Sequence, residues 1–161
     1  MQFGPVVTSF SVAGWITRPI FWHKPSAPPA MPGSGWSSCV ELGCYAYRPG
    51  RTWKYTTNAP RHLISCDPPK VDRSHPMQKP VELMSLALRA SSDVGHVVLD
   101  PFAGSGTTLI AARAMGRKAI GIEIDERFCE AAALRLSQQT LDMAQDLDER
   151  EADAKDQGRL F

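Results

Sequence analysis

The sequence predicts an α/β fold built on parallel strands joined by a crossover helix, and three observations carry that reading. Past residue 80, apolar residues at helical spacing give way to a short apolar run, a glycine loop, a second helical run and a second short apolar run. Helix, strand, glycine loop, helix, strand, acid, helix is the order of a β–α–β unit with its strands parallel. The chain of 161 residues is 43% hydrophobic, enough for one domain with a real core.

Each element follows from local chemistry. Trp15 to Trp22 is rich in aromatic and β-branched residues and stops at Lys24-Pro25, which predicts a strand. Pro25 to Gly35 holds four prolines and two glycines and reads as a loop. Val40 to Tyr47 is a second predicted strand, closed by the turn Arg48-Pro49-Gly50. Arg51 to Ser74 shows no clear period and is expected to be irregular. Pro80 stands where a first-turn proline belongs, and Val81, Leu83, Met84, Leu86, Ala87 and Leu88 give an apolar helical face to about Ala90. Val97-Val98-Leu99 is a short buried strand, Asp100 to Gly106 a tight loop, and Thr107 to Met115 a helix stopped by Gly116. Lys118 to Ile122 is the next strand, ending in Glu123; Asp125 then caps a helix to Leu136 or beyond.

Charge is distributed unevenly. Residues 1–80 carry nine Lys/Arg against three acids, and residues 142–161 seven acids against three bases, although the whole nets only +1. A basic front suits contact with phosphates, or is merely a solvated face; the acidic tail reads as a solvated extension. Cys39, Cys44, Cys66 and Cys129 fit neither a paired zinc pattern nor a disulfide framework, so they are expected to be reduced thiols. No run of about 18 apolar residues is present. The opening Met1-Gln2-Phe3-Gly4-Pro5 lacks the order of a secretory signal, so the expected setting is the cytoplasm, with no membrane contact and no metal.

The residues from Asp100 to Thr108 carry the chemistry. A strand delivers its carboxyl end to Asp100-Pro101-Phe102-Ala103-Gly104-Ser105-Gly106-Thr107-Thr108, whose glycines let a ligand press on the backbone ahead of a helix with free N–H groups. Glu123, at the end of the next strand, can accept hydrogen bonds from both hydroxyls of a ribose. A phosphate-binding loop needs a Lys-Ser/Thr pair after its second glycine; here Thr107-Thr108 follow with no lysine nearby. A dinucleotide loop wants a third glycine, where this sequence has Leu109. An adenosine ligand without phosphate remains, which is S-adenosylmethionine.

His75-Pro76-Met77-Gln78-Lys79-Pro80, then the loop from Asp100 to Thr108, then Gly121-Ile122-Glu123-Ile124-Asp125, together resemble the N4-cytosine/N6-adenine DNA methyltransferases of the permuted type. In that family an HPTQKP-like motif precedes the cofactor loop and the cofactor half follows the catalytic half. The departure is Met77, where the family usually has threonine. The resemblance implies a Rossmann-like S-adenosylmethionine-dependent methyltransferase fold. It also implies that Asp100, Phe102, Gly104, Ser105, Gly106 and Thr107 hold the methionine portion and Glu123 the ribose. Gln78 and Lys79 would close the pocket near the methionine carboxylate, to which a lysine can pair. His75 reads equally as a residue leading into a helix, and Asp125 as an N-cap rather than a binder.

In that family the chemistry depends on an (Asp/Asn/Ser)-Pro-Pro-(Tyr/Phe/Trp) motif near the protein's start, which accepts hydrogen bonds from the target amino group and stacks on the flipped base. Here the one candidate is Cys66-Asp67-Pro68-Pro69-Lys70. Lys70 cannot stack, so Asp67 is read first as part of a proline turn and only second as catalytic. Residues 15–25 and 38–49 look similar to the last part of the catalytic half, and the family's first strands are not seen. The expectation is therefore an incomplete sheet: a truncated or degenerate copy, or a chain whose missing half comes from another polypeptide. The division expected is 1–74 for the residual catalytic and DNA-contacting part, 75–139 for the cofactor half and 140–161 for the tail. Gln157-Gly158-Arg159-Leu160-Phe161 also resembles a bacterial sliding-clamp-binding peptide.

Two functions are weighed. One is transfer of a methyl group to adenine N6 or cytosine N4 in double-stranded DNA with a flipped base, within restriction-modification. The other is an inactive cofactor- or DNA-binding module or partner subunit. Methylation of RNA or protein is disfavoured by the motif order. Lys24, Arg48, Arg51, Trp53 and Lys54 are the expected DNA contacts.

Overall fold

The computed structural model of the chain describes residues 3–27, 29, 39–50, 62–69 and 78–140. Two compact units divide it: Met1–Arg73 with Lys79–Asp93, and Ser74–Gln78 with Val94–Phe161. The expected division at residues 74/75 puts the helix after Pro80 with the cofactor half; by compactness that helix belongs to the front unit.

The front unit opens with a helix the sequence reading does not foresee, α1 (Phe3–Val12). Its β-branched run is a poor helix former, and its end is fixed by local hydrogen bonds. Gly14 adopts a left-handed φ of 76°. That turn lets Gly14 N–H reach Ser11 O at 3.0 Å and Trp15 N–H reach Phe10 O at 2.9 Å. The two bonds form a Schellman stop, and the Phe10 and Trp15 rings close over it with centroids 5.6 Å apart.

Both expected strands form, and β1 (Ile16–His23) pairs antiparallel with β2 (Val40–Tyr47), with Ile16 opposite Tyr47 and His23 opposite Val40. On its other side β1 pairs parallel with β3 (Leu63–Ser65), within a stretch expected to be irregular. Pro19 is tolerated in this central strand because it precedes the β3 pairing, and its carbonyl accepts a bond from His62 Nδ1 at 2.8 Å. Helix α2 (Val81–Ser91) follows Pro80, which sits one position before the helix as its N-cap rather than inside the first turn. Trp22, Cys66 and Leu83 form the core, with Ile64 and Met84 against it. The Trp22 indole N–H would be orphaned there, and it donates to Cys66 O at 2.8 Å.

The back unit is the predicted β–α–β. Strand β4 (Val97–Asp100) lies parallel to β5 (Lys118–Gly121), with Val97 opposite Lys118 and Asp100 opposite Gly121. Helix α3 (Thr107–Ala114) crosses between them and stops where Gly116 predicts, with Arg117 N–H bonded to Ala112 O at 2.8 Å. Helix α4 spans residues 126–140. Asp125 caps it as expected, its Oδ1 accepting the Arg127 N–H at 3.0 Å. Leu109 of α3 seats on Gly121, where a Cβ would come within 2.7 Å of its Cδ1. By strand alternation, Val98, Ala119 and Gly121 share the face on which α3 lies, with Val98 half-buried there and Ala119 and Gly121 still exposed. Val97, Leu99 and Ile120 line the opposite face and are more than half exposed.

Among the described residues the front unit has a three-stranded sheet, in the order β2-β1-β3, and the back unit a two-stranded one, β4-β5. Cys39, Cys44, Cys66 and Cys129 are free thiols. Among the described residues no helix is long and apolar enough to cross a membrane, and no group of His, Cys, Asp and Glu could hold a metal. His75 to Met77, Arg51, Trp53, Lys54, Lys70 and the tail beyond residue 140, with Gln157 to Phe161, lie outside the described residues.

Candidate functional site

The loop from Asp100 to Gly106 is built at the carboxyl ends of β4 and β5, where open parallel sheets bind ligands. Asp100 turns its Oδ1 back on the Phe102 N–H at 3.1 Å, tightening the first bend. Ala103 N–H bonds Ile122 O at 2.9 Å, which ties the loop to the end of β5. One residue on, Gly104 N–H donates to Glu123 Oε2 at 2.8 Å. The other oxygen of that carboxylate accepts from Ile124 N–H at 2.9 Å and Asp125 N–H at 3.0 Å. These amide bonds, Asp125 first and then Gly104, hold the Glu123 carboxyl below its ordinary range, so it is an anion near neutral pH.

Ser105 and Thr107 are buried. Arg135 from α4 reaches them, its Nη1 at 3.0 Å from Ser105 Oγ and 3.5 Å from Thr107 Oγ1. The expected contacts to the methionine portion, through backbone and side chains, thus include two hydroxyls that already have a protein partner. Gly106 takes a φ of 76° and packs so closely that a Cβ there would lie 2.9 Å from Ala132 Cβ.

In the front unit the expected cations are already engaged. Lys79 Nζ is 2.7 Å from Glu41 Oε2 and 5.2 Å from the Trp22 ring centroid. Lys24 Nζ is 3.3 Å from Glu41 Oε1, with the Lys24 side chain only 15% exposed. Burial opposes the Glu41 charge, yet Lys79, ahead of Lys24, holds its carboxyl below the usual range. Lys24 and Lys79 thus share Glu41 as an ion-pair partner. Arg48 is exposed and stacks over Trp15 at 5.3 Å. Asp67 receives Ser26 N–H and Ser26 Oγ–H at 2.7 Å each. The two bonds tie Asp67 to the loop after β1. Gln78 is half-buried and groups with the back unit.

The family model for N6/N4 DNA methylases matches residues 6–134, most of the chain. The chain belongs to the N6/N4 DNA methylase family. It is 43% identical over 88 residues to the DNA adenine methyltransferase YhdJ of Escherichia coli K12, covering 55% of this chain and 28% of that protein. Against the type II methyltransferase M.HpaI of Haemophilus parainfluenzae it is 38% identical over 88 residues, 55% of this chain and 26% of the relative. The matched part thus spans only about a quarter of these curated relatives. Among solved structures, the M1.HpyAVI–SAM complex superposes with a TM-score of 0.73 at 25% identity, over 84% of this chain and 71% of that one. A Thermus thermophilus protein complexed with S-adenosyl-L-methionine gives 0.64 at 32% identity, over 84% and 59%. The architecture is accordingly the Rossmann-like fold of S-adenosylmethionine-dependent methyltransferases, in partial form.

Within that family frame, Ile124 and Arg135 escape a reading of the sequence. Ile124 follows the acid yet is fully exposed, and Phe102, which the sequence does point to, is 88% exposed. An apolar residue directly after a strand-terminal carboxylate is the signal that could have found Ile124. Arg135 had none, because its partners lie about 30 residues away across two helices.

Proposed function

We propose that this chain carries the cofactor site of an S-adenosylmethionine-dependent DNA methyltransferase acting on adenine N6 or cytosine N4. The observation that carries the reading is the bond from Gly104 N–H to the Glu123 carboxylate, which sets the glycine loop against the acid at the mouth of a parallel strand pair. The donors suit this cofactor. The ionised Glu123 carboxylate has about four acceptor positions, of which three hold backbone amides, so one remains on Oε2 for a ribose hydroxyl, and Phe102 and Ile124 offer apolar surface for a purine. Asp100, Gly104, Ser105, Gly106 and Thr107 shape the backbone around the methionine portion, with Gln78 beside it. When bound, the cofactor supplies a methyl group on a sulfonium centre. This chain's residues bind and orient it; the nucleophile is an exocyclic amino group on a flipped base.

Likeness to proteins named as a DNA adenine methyltransferase and a type II methyltransferase supports DNA as the substrate and a restriction-modification role, with the cytoplasm as the setting. Arg48, exposed beside Trp15, is the described residue best placed for a phosphate contact. The second reading is a cofactor- or DNA-binding module without transfer of its own; what speaks for it is that the Asp67 carboxylate already accepts both Ser26 donors.

Calorimetric titration of the 161-residue chain with S-adenosylmethionine, beside transfer of labelled methyl to unmethylated DNA, separates the two. Saturable heat with label in DNA supports the transferase. Heat without label supports the module, and a folded protein that gives no heat sinks both.

A further inference from the structure

Arg135 is a third-turn residue of α4, and its guanidinium crosses to the loop ahead of α3. Nη1 lies 2.5 Å from Ser105 O, 3.0 Å from Ser105 Oγ and 3.5 Å from Thr107 Oγ1. Ser105 and Thr107 are the buried polar residues of the described chain, so their oxygens have lost water and need a donor. One turn earlier on the same helix face, Ala132 presses against Gly106 so closely that a Cβ there would lie 2.9 Å from the alanine Cβ. Helix α4 therefore grips the loop at two points, a steric seat at Gly106 and a charged fork at Ser105.

The sign of the charge is informative. A cation next to the first turn of α3 opposes the helix dipole, so Arg135 is not there to stabilise α3 as a helix. Its bonds run instead to the loop's own carbonyl and hydroxyl. On the opposite side the same loop is tied by Glu123 to Gly104 N–H and by Ile122 O to Ala103 N–H. The loop is thus held from both sides, and only the Glu123 side faces the proposed ligand.

We propose that Arg135 is a positioning residue for the cofactor loop, setting S-adenosylmethionine affinity without touching the cofactor. This rests on the cofactor reading above. Loss of the fork frees Ser105 and lets the Gly104 amide drift from Glu123. Affinity falls while the amino-group chemistry at saturating cofactor is unchanged.

The test compares Arg135→Ala and Arg135→Lys with Arg113→Ala in the full chain. Arg113 also joins α3 to α4, donating to Leu136 O at 3.2 Å, but does not touch the loop. Backbone amide exchange at Ala103, Gly104 and Gly106, measured without cofactor, is expected to quicken about tenfold in Arg135→Ala, since removing hydrogen bonds to a charged donor has an effect of that order. Arg135→Lys should recover part of the protection, and Arg113→Ala should leave loop exchange as in the wild type. Calorimetry should show affinity for S-adenosylmethionine weakened about tenfold in Arg135→Ala alone. Unchanged loop exchange, or equal losses in Arg113→Ala, overturns the clamp. Wild-type protein that binds no S-adenosylmethionine while Arg135→Ala still frees the loop overturns the cofactor reading, and with it the affinity half of the proposal.

Discussion

Glu123 commits both carboxylate oxygens to backbone amides, and that arrangement makes the site sensitive to pH in one direction. Its folded pKa lies below the ordinary 4.5, so the stabilisation is complete above that value and is lost as pH falls through the folded one. Binding of S-adenosylmethionine is therefore expected to be flat from about pH 8 to 5 and to weaken on further acidification. Glu123→Gln should weaken binding about tenfold at neutral pH, because an amide supplies one acceptor where the carboxylate supplies two. It should also abolish the acid-side decline; calorimetry showing parallel pH profiles for the two proteins would remove Glu123 from the site. Asp67 answers to a different measurement. As the acceptor of both Ser26 donors it is expected to affect folding: Asp67→Ala should cost about 1–3 kcal/mol in urea unfolding while leaving cofactor affinity within twofold.

Elements whose stability is written locally were legible. Strand β2, the α3 stop at Gly116 and the α4 cap at Asp125 each depend on neighbours in sequence, and each lies where the residues predict. Strand β3 was not legible, because three residues cannot display a period and Leu63–Ser65 is extended only through its pairing with Phe21 to His23. Helix α1 was missed since its body is β-branched; the Gly14-Trp15 stop with Phe10 upstream was the available signal. The loop and Glu123 could be seen as a pair from order alone. Which hydroxyls face inward could not, since Ser105 and Thr107 turn toward an arginine far along the chain. Gly106 tests the loop as an element. Its left-handed φ and the 2.9 Å approach to Ala132 predict that Gly106→Ala destabilises the back unit by about 1–3 kcal/mol and weakens cofactor binding in step. Denaturant midpoints matching the wild type would show that the seat on α4 is not required.

Across the whole molecule, the back unit carries an asymmetry that its local rules do not remove. Strands of a parallel sheet are apolar toward both sides because helices ordinarily cover both. Here α3 lies against the face of Val98, Ala119 and Gly121, while Val97, Leu99 and Ile120 stand open. Neighbouring apolar side chains on two adjacent strands form a continuous patch, of the kind soluble surfaces keep small. The folded chain is therefore expected to bind a hydrophobic dye such as ANS at neutral pH, a property usually taken as a sign of lost packing. Fully folded protein and dye binding should coexist, with sharp cooperative unfolding in urea. Leu99→Lys distinguishes the causes. At an open position the change should alter stability by less than about 1 kcal/mol and lower dye binding, whereas at a packed position it would cost several times that. A large loss of stability in Leu99→Lys, or undiminished dye fluorescence, would show that this face is covered in the folded chain.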